Sequence, residues 1–186
     1  MDRKERSDRL KALLEARDWE GVAAFPAPPG WLLRRLLGFL QDPSCGLRWR
    51  AVLALGRVAG RMHPSDPSLA EFIRTLFWTL NDESGNLCRM APEALGEILR
   101  ARPDLRPEYA PLLPQFLVEE PFETGTLWAL CRLGEDGWPC KAGLRHLLGP
   151  SLEHPDGRRS GLARRLAQLA GDGRCPDPLR MQGPGE

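Results

Sequence analysis

Apolar residues recur along most of this chain at intervals of three and four, the signature of helices buried on one face. Leu10, Leu13 and Leu14 open the pattern, and Ser7 or Asp8 is placed to cap a first helix running to about Arg17. Asp18 is placed to cap a short second helix through Ala24. The stretch FPAPPG at 25–30 then interrupts the chain with prolines. Beyond it, Leu47, Ala51, Ala54, Leu55 and Val58 fall at i, i+4, i+7, i+8 and i+11, one face of a 3.6-residue helix. The small residues Ala54 and Gly56 on that helix allow a neighbouring helix to approach closely.

The same pattern then repeats. Shifted by 40 positions, residues 31–58 align with 71–98: Leu40 meets Leu80, Asp42 meets Asp82, Leu47 meets Leu87, and Ala54-Leu55-Gly56 meets Ala94-Leu95-Gly96. A weaker third copy has a first segment at 109–118, a break at Glu119-Glu120-Pro121, and Ala129-Leu130-Cys131 in the Ala-Leu-Gly place. A fourth breaks at His154-Pro155-Asp156-Gly157. Offsets of about 40, 35 and 36 residues predict a helical solenoid in which each copy is a helix, a short turn and a second helix. One pair cannot bury its own apolar stripe, so the pairs must stack. The expected fold is all-α, a right-handed α-solenoid of stacked antiparallel helix pairs in one domain over 1–171. Capping helices occupy 1–29 and repeats about 30–62, 66–101, 104–135 and 141–171, with a flexible Gly/Pro-rich tail at 172–186. In the second copy Pro92 favours a first-turn position, which delays its second helix to about Ala91.

Composition agrees. Leu occurs 32 times against 6 for Ile and Val together, a ratio that favours helix over sheet. The net charge of +1 removes any global attraction for nucleic acid or an anionic membrane. The N-terminal stretch is charged throughout and lacks the apolar core of a secretory signal, and no run is long enough to span a membrane. The five cysteines form no CxxC pair, so no zinc site, metal or cofactor is implied. The expectation is a cytoplasmic protein with reduced thiols, monomeric by default.

The run Leu47-Arg48, Ala51, Ala54-Leu55-Gly56 resembles the core of HEAT-like repeats, most of all the subclass named after phycobilisome lyases. Trp49-Arg50-Ala51-Val52, Asn81-Asp82-Glu83-Ser84-Gly85 and Ala91-Pro92-Glu93-Ala94-Leu95-Gly96-Glu97 also resemble a bacterial HEAT-like family of unassigned activity. The likeness covers about 31–100 well and fades beyond 134. It implies an armadillo-type superhelix whose second helices line a concave face where partners bind, and it implies little about activity.

On that face the offsets make Arg57, Glu97 and Arg132 neighbours, and likewise Leu53, Glu93 and Trp128. Such a ladder serves either to hold helices in register or to grip a partner. Trp49 and Trp128, beside Arg50 and Glu93, offer aromatic area for a planar ligand or a partner's side chain. Trp31 and Trp78, on first helices, are expected in the core. The turn Asp82-Glu83-Ser84-Gly85 would sit at the rim; it lacks the ligand spacing of a calcium loop. Residues 30–62 carry six Arg against Asp42 alone, and the middle of the chain is acidic, a polarity suited to docking. No nucleophile–base pair or phosphate loop is legible. Two functions follow. The first is a non-catalytic scaffold binding a protein partner through Trp49, Arg50, Arg57, Asp82, Glu83, Ser84, Glu93, Glu97, Trp128 and Arg132. The alternative, implied by the resemblance, is an enzyme or enzyme accessory handling a planar ligand, tetrapyrrole-lyase-like or base-excision-like, with Glu93 as acid or base. The near-neutral charge disfavours nucleic acid as a partner.

Overall fold

The computed structural model describes residues 2–81, 87–138 and 144–171. The chain is all-α; among the described residues there is no strand. Among the described residues the α-helices are α1 (Arg3–Ala16), α2 (Trp19–Ala23), α3 (Pro29–Phe39), α4 (Cys45–Arg61), α5 (Pro67–Leu80), α6 (Ala91–Ala101), α7 (Arg106–Tyr109), α8 (Glu123–Glu135), α9 (Arg145–Leu152) and α10 (Gly157–Gly171). They form two compact units, residues 1–103 and 104–186.

In the first unit, most helix starts carry a side-chain cap that satisfies an otherwise orphaned backbone N–H. Asp18 accepts from Gly21 N–H at 2.8 Å, Ser44 from Leu47 N–H at 3.4 Å, and Asp66 from Ser68 N–H at 2.9 Å. The first helix starts earlier than expected. Asp2, not Ser7 or Asp8, is its N-cap, because Glu5 three residues on closes a reciprocal capping box. Ser7 is buried inside the helix instead. α6 does start at Ala91 with Pro92 in its first turn.

The core of this unit is layered. α3 packs on α5 and α4 on α6, each hairpin closes on itself through α3–α4 and α5–α6, and α1 and α2 cover α4. Leu47, Ala51, Ala54, Leu55 and Val58 are all buried, as their spacing requires, and so are Ala94 and Leu95 at the matching register. α6 differs from a helix lying on a surface: every residue from Ala91 to Leu99 is buried. Trp78 does not join the core. It is 61% exposed on the outer side of α5, while Leu76 and Leu80 on the same helix are buried.

The second unit repeats the pairing with one change. Residues 110–118, expected as an α-helix, form a 3-10 helix (Ala110–Val118) after the single turn of α7. Pro111 and Pro114 supply no N–H, so an unbroken i to i−4 ladder cannot run through them. Leu113, Phe116 and Leu117 are nonetheless buried, and Phe116 meets Phe122 edge-to-face at 6.2 Å. This segment packs on α8, α8 packs on α10, and α9 on α10. The peptide Glu120–Pro121 is cis. Asp156 begins α10 by accepting from Arg158 N–H at 2.9 Å.

Candidate functional site

α4 presents an exposed stripe opposite its apolar one. Arg50 is half-buried, Leu53 is 36% exposed, and Arg57 and Arg61 are exposed, at i, i+3, i+7 and i+11. Trp49 is half-buried beside them. Arg61 is paired with Glu20 of α2. Among the described residues Arg57 forms no ion pair. The stripe therefore combines a cation and an accessible apolar side chain one helical turn apart.

α6 places its two carboxylates differently from the open face expected of them. Glu93 and Glu97 are only 5% and 6% exposed. Glu97 pairs with Arg100 on its own helix, N···O 3.6 Å. The spacing of apolar residues locates the side of a helix that faces its own hairpin; it carries no information on what covers the opposite side. Near the start of α6, burial and the charge of nearby Glu93 push the Cys88 thiol up from its ordinary 9.0 to about 11, partly offset by a hydrogen bond to the Met90 backbone. A thiol held protonated in this way is a packing group and a poor nucleophile at neutral pH.

In the second unit, Trp128 and Arg132 do come together. The Arg132 guanidinium lies over the indole at 5.7 Å from the ring centroid and pairs with Glu135 at 3.3 Å. Glu135 also meets Arg165 of α10 at 3.3 Å. Cys131, in the place of the repeat glycine, is buried and donates to the Leu162 carbonyl at 3.4 Å. Asp82, Glu83 and Ser84, with Gly85, lie outside the described residues.

A second region of the first unit lies between α1 and α3. There Asp2, Arg3, Lys4, Ser7 and Asp8 of the α1 end face Trp31, Arg34 and Arg35 of α3 across a depression of about 540 Å³. Trp31 is half-buried rather than in the core, stacked on Phe25 at 6.1 Å and 8° and covered by the Arg6 guanidinium at 5.4 Å. The signal was present as Trp31, Arg34 and Arg35 at i, i+3 and i+4, inside the basic stretch. A second, shallower depression is lined by Glu71, Arg74, Thr75 and Trp78 of α5. Among the described residues no group of three or more His, Cys, Asp or Glu is placed to hold a metal ion, and no helix is long and apolar enough to cross a membrane.

No family model matches this chain, and no solved structure matches it. Over 110 residues it is 33% identical to a protein of Archaeoglobus fulgidus described as "Uncharacterized protein". The match covers 56% of this chain and 57% of that relative, so the chain spans little more than half the relative's length.

Proposed function

We propose that the chain is a HEAT-like repeat protein, a right-handed α-solenoid of helix pairs, that acts as a non-catalytic scaffold and binds a protein partner along α4. The observation that carries this reading is the exposed stripe Arg50, Leu53 and Arg57. Arginine forks to a partner's carboxylates while leucine adds apolar area, so the stripe fits an acidic, amphipathic partner surface. The repeat reading is supported by the α4–α6 packing, which puts Gly56 against the backbone of Glu97, one residue beyond Gly96, its match at the 40-residue offset. Trp49 extends the stripe, and the second unit carries an aromatic–cation pair of its own in Trp128 and Arg132. A cytoplasmic site of action accompanies this reading: Cys45 and Cys88 are free thiols.

The test is capture with a photo-crosslinking residue at position 53, followed by affinity measurement on the captured protein. Arg57→Glu and Leu53→Asp are expected to weaken binding at least about tenfold, or ~1.4 kcal/mol, with helical content and melting unchanged. If both variants bind like the parent, α4 is not the working surface.

A further inference from the structure

The depression between the α1 end and α3 has a composition that the partner-binding role of α4 does not use. Arg3, Lys4, Arg34 and Arg35 bring four cations to one cavity, and among the described residues none of them forms an ion pair. Two carboxylates share the lining. That of Asp2 is engaged as the N-cap of α1, where it accepts from the Arg3 N–H at 2.5 Å. Asp8 is the remaining acid, and Ser7 adds a hydroxyl. The Trp31 indole also lines the depression, stacked on Phe25 and under the Arg6 guanidinium. The buried Nε of Arg6 has no hydrogen-bond partner among the described residues. The Arg35 guanidinium lies over Phe39, 4.7 Å from the ring centroid, which restrains its position.

We propose that this depression binds an organic phosphate: a phosphate ester whose body carries hydroxyl groups, of nucleotide or sugar-phosphate type. The argument is one of matched chemistry. Arginine forks suit phosphate oxygens and lysine adds a point charge. Asp8 and Ser7 can accept hydrogen bonds from hydroxyls, which a bare anion does not have. The part of the indole that lines the depression gives a ribose or hexose ring an apolar contact. A volume of about 540 Å³ lies within the roughly 300–1,000 Å³ of small-molecule sites. A merely solvated charged face requires neither the convergence of these cations on one cavity nor the stacked indole. The site stands on different helices and residues from the α4 stripe, so it holds or fails independently of partner binding.

The experiment is calorimetric titration of the full chain at low salt with AMP, glucose 6-phosphate and inorganic phosphate. One or both esters are expected to bind at least ~tenfold tighter than inorganic phosphate, the tighter ester naming the body the site prefers. Arg34→Glu removes an exposed cation from the depression and is expected to weaken ester binding at least ~tenfold. Arg74→Glu makes the same charge change on α5, outside the depression, and is expected to leave binding unchanged. The proposal is overturned if neither ester binds below ~1 mM. Inorganic phosphate binding as tightly as the esters overturns it too, as do equal losses in the two variants, which would mark diffuse electrostatics.

Discussion

Gly56 on α4 faces the backbone of Glu97 on α6 so closely that a Cβ at position 56 would lie 2.9 Å from the Glu97 carbonyl oxygen and 3.2 Å from its Cβ. The obstacle is mostly backbone and cannot rotate away. Gly56→Ala is therefore expected to destabilise the protein by about 1–3 kcal/mol, despite the better helix propensity of alanine. Gly60, one turn along, offers the control. A Cβ there meets the Ala101 Cβ at 3.5 Å, an ordinary contact. Gly60→Ala is expected to stabilise by about 0.5–1 kcal/mol. Urea denaturation of both variants checks the pair, and equal shifts of the same sign would mean that α4 and α6 do not meet at this register.

Cys88 gives the stability of the first unit a dependence on alkaline pH. Its folded pKa is raised to about 11 from 9.0, so the folded state holds the thiol proton more tightly than the unfolded state. The contribution is fully present below about pH 9 and is lost as pH rises through about 11. Comparison with Cys88→Ala isolates it from other titrating groups. The stability difference between parent and variant should be flat up to about pH 9 and then shrink, by a few kcal/mol at most, toward pH 11. A flat difference across that window would show that the thiol is not desolvated.

The sequence carried the helix faces well and the coverings poorly. The stripe from Leu47 to Val58 is buried as its period requires, and Pro92 marked the start of α6. Both signals are local: a period fixes a face, and a proline fixes a first turn. Glu93 and Glu97 read as solvent-facing because the 40-residue offset matches them to Leu53 and Arg57, yet they are buried, and what covers a second side is set by non-local packing. The N-cap fell to Asp2 rather than Ser7 or Asp8 because all three are good caps and only the reach of Glu5 decides between them. Residues 110–118 kept their buried leucines but not their helix type, since two prolines override a period. Of the candidate site, the Arg50–Leu53–Arg57 stripe was legible from α4 alone, whereas the depression at Trp31 needed α1 brought against α3.

Trp78 tests how far hydrophobicity alone misleads. Its side chain is 61% exposed, and Leu76 two positions earlier is fully buried. Trp78→Ser is expected to change stability by no more than about 0.5 kcal/mol. Leu76→Ala is expected to cost about 2–5 kcal/mol through lost burial and the cavity it leaves. Thermal and urea unfolding of the two variants check this, and a large loss in Trp78→Ser would place the indole in contact with something that covers it.

Glu123 and Arg159 tie the helices of the second unit together. Arg159 of α10 donates from Nη1 to the Glu123 carboxylate of α8 at 3.2 Å and from Nε to the Ser151 hydroxyl of α9 at 3.1 Å. The side chains of Glu123 and Arg159 are 8% and 13% exposed, so water can do little to replace a lost partner. Removing one member leaves the other charge buried, and Arg159→Met or Glu123→Leu should each cost about 3–5 kcal/mol. The pair itself need not stabilise the fold relative to an apolar pair of like volume, because its Coulomb attraction is offset by desolvation. Combining Arg159→Met with Glu123→Leu should therefore cost less than the sum of the two single changes, with a coupling of about 0.5–3 kcal/mol. Ser151→Ala, which removes the smaller contact alone, should cost about 1 kcal/mol. The double-mutant cycle, measured by urea denaturation, decides the matter. Simple additivity would mean that Glu123 and Arg159 are solvated separately and that α8 and α10 are held by their apolar residues alone.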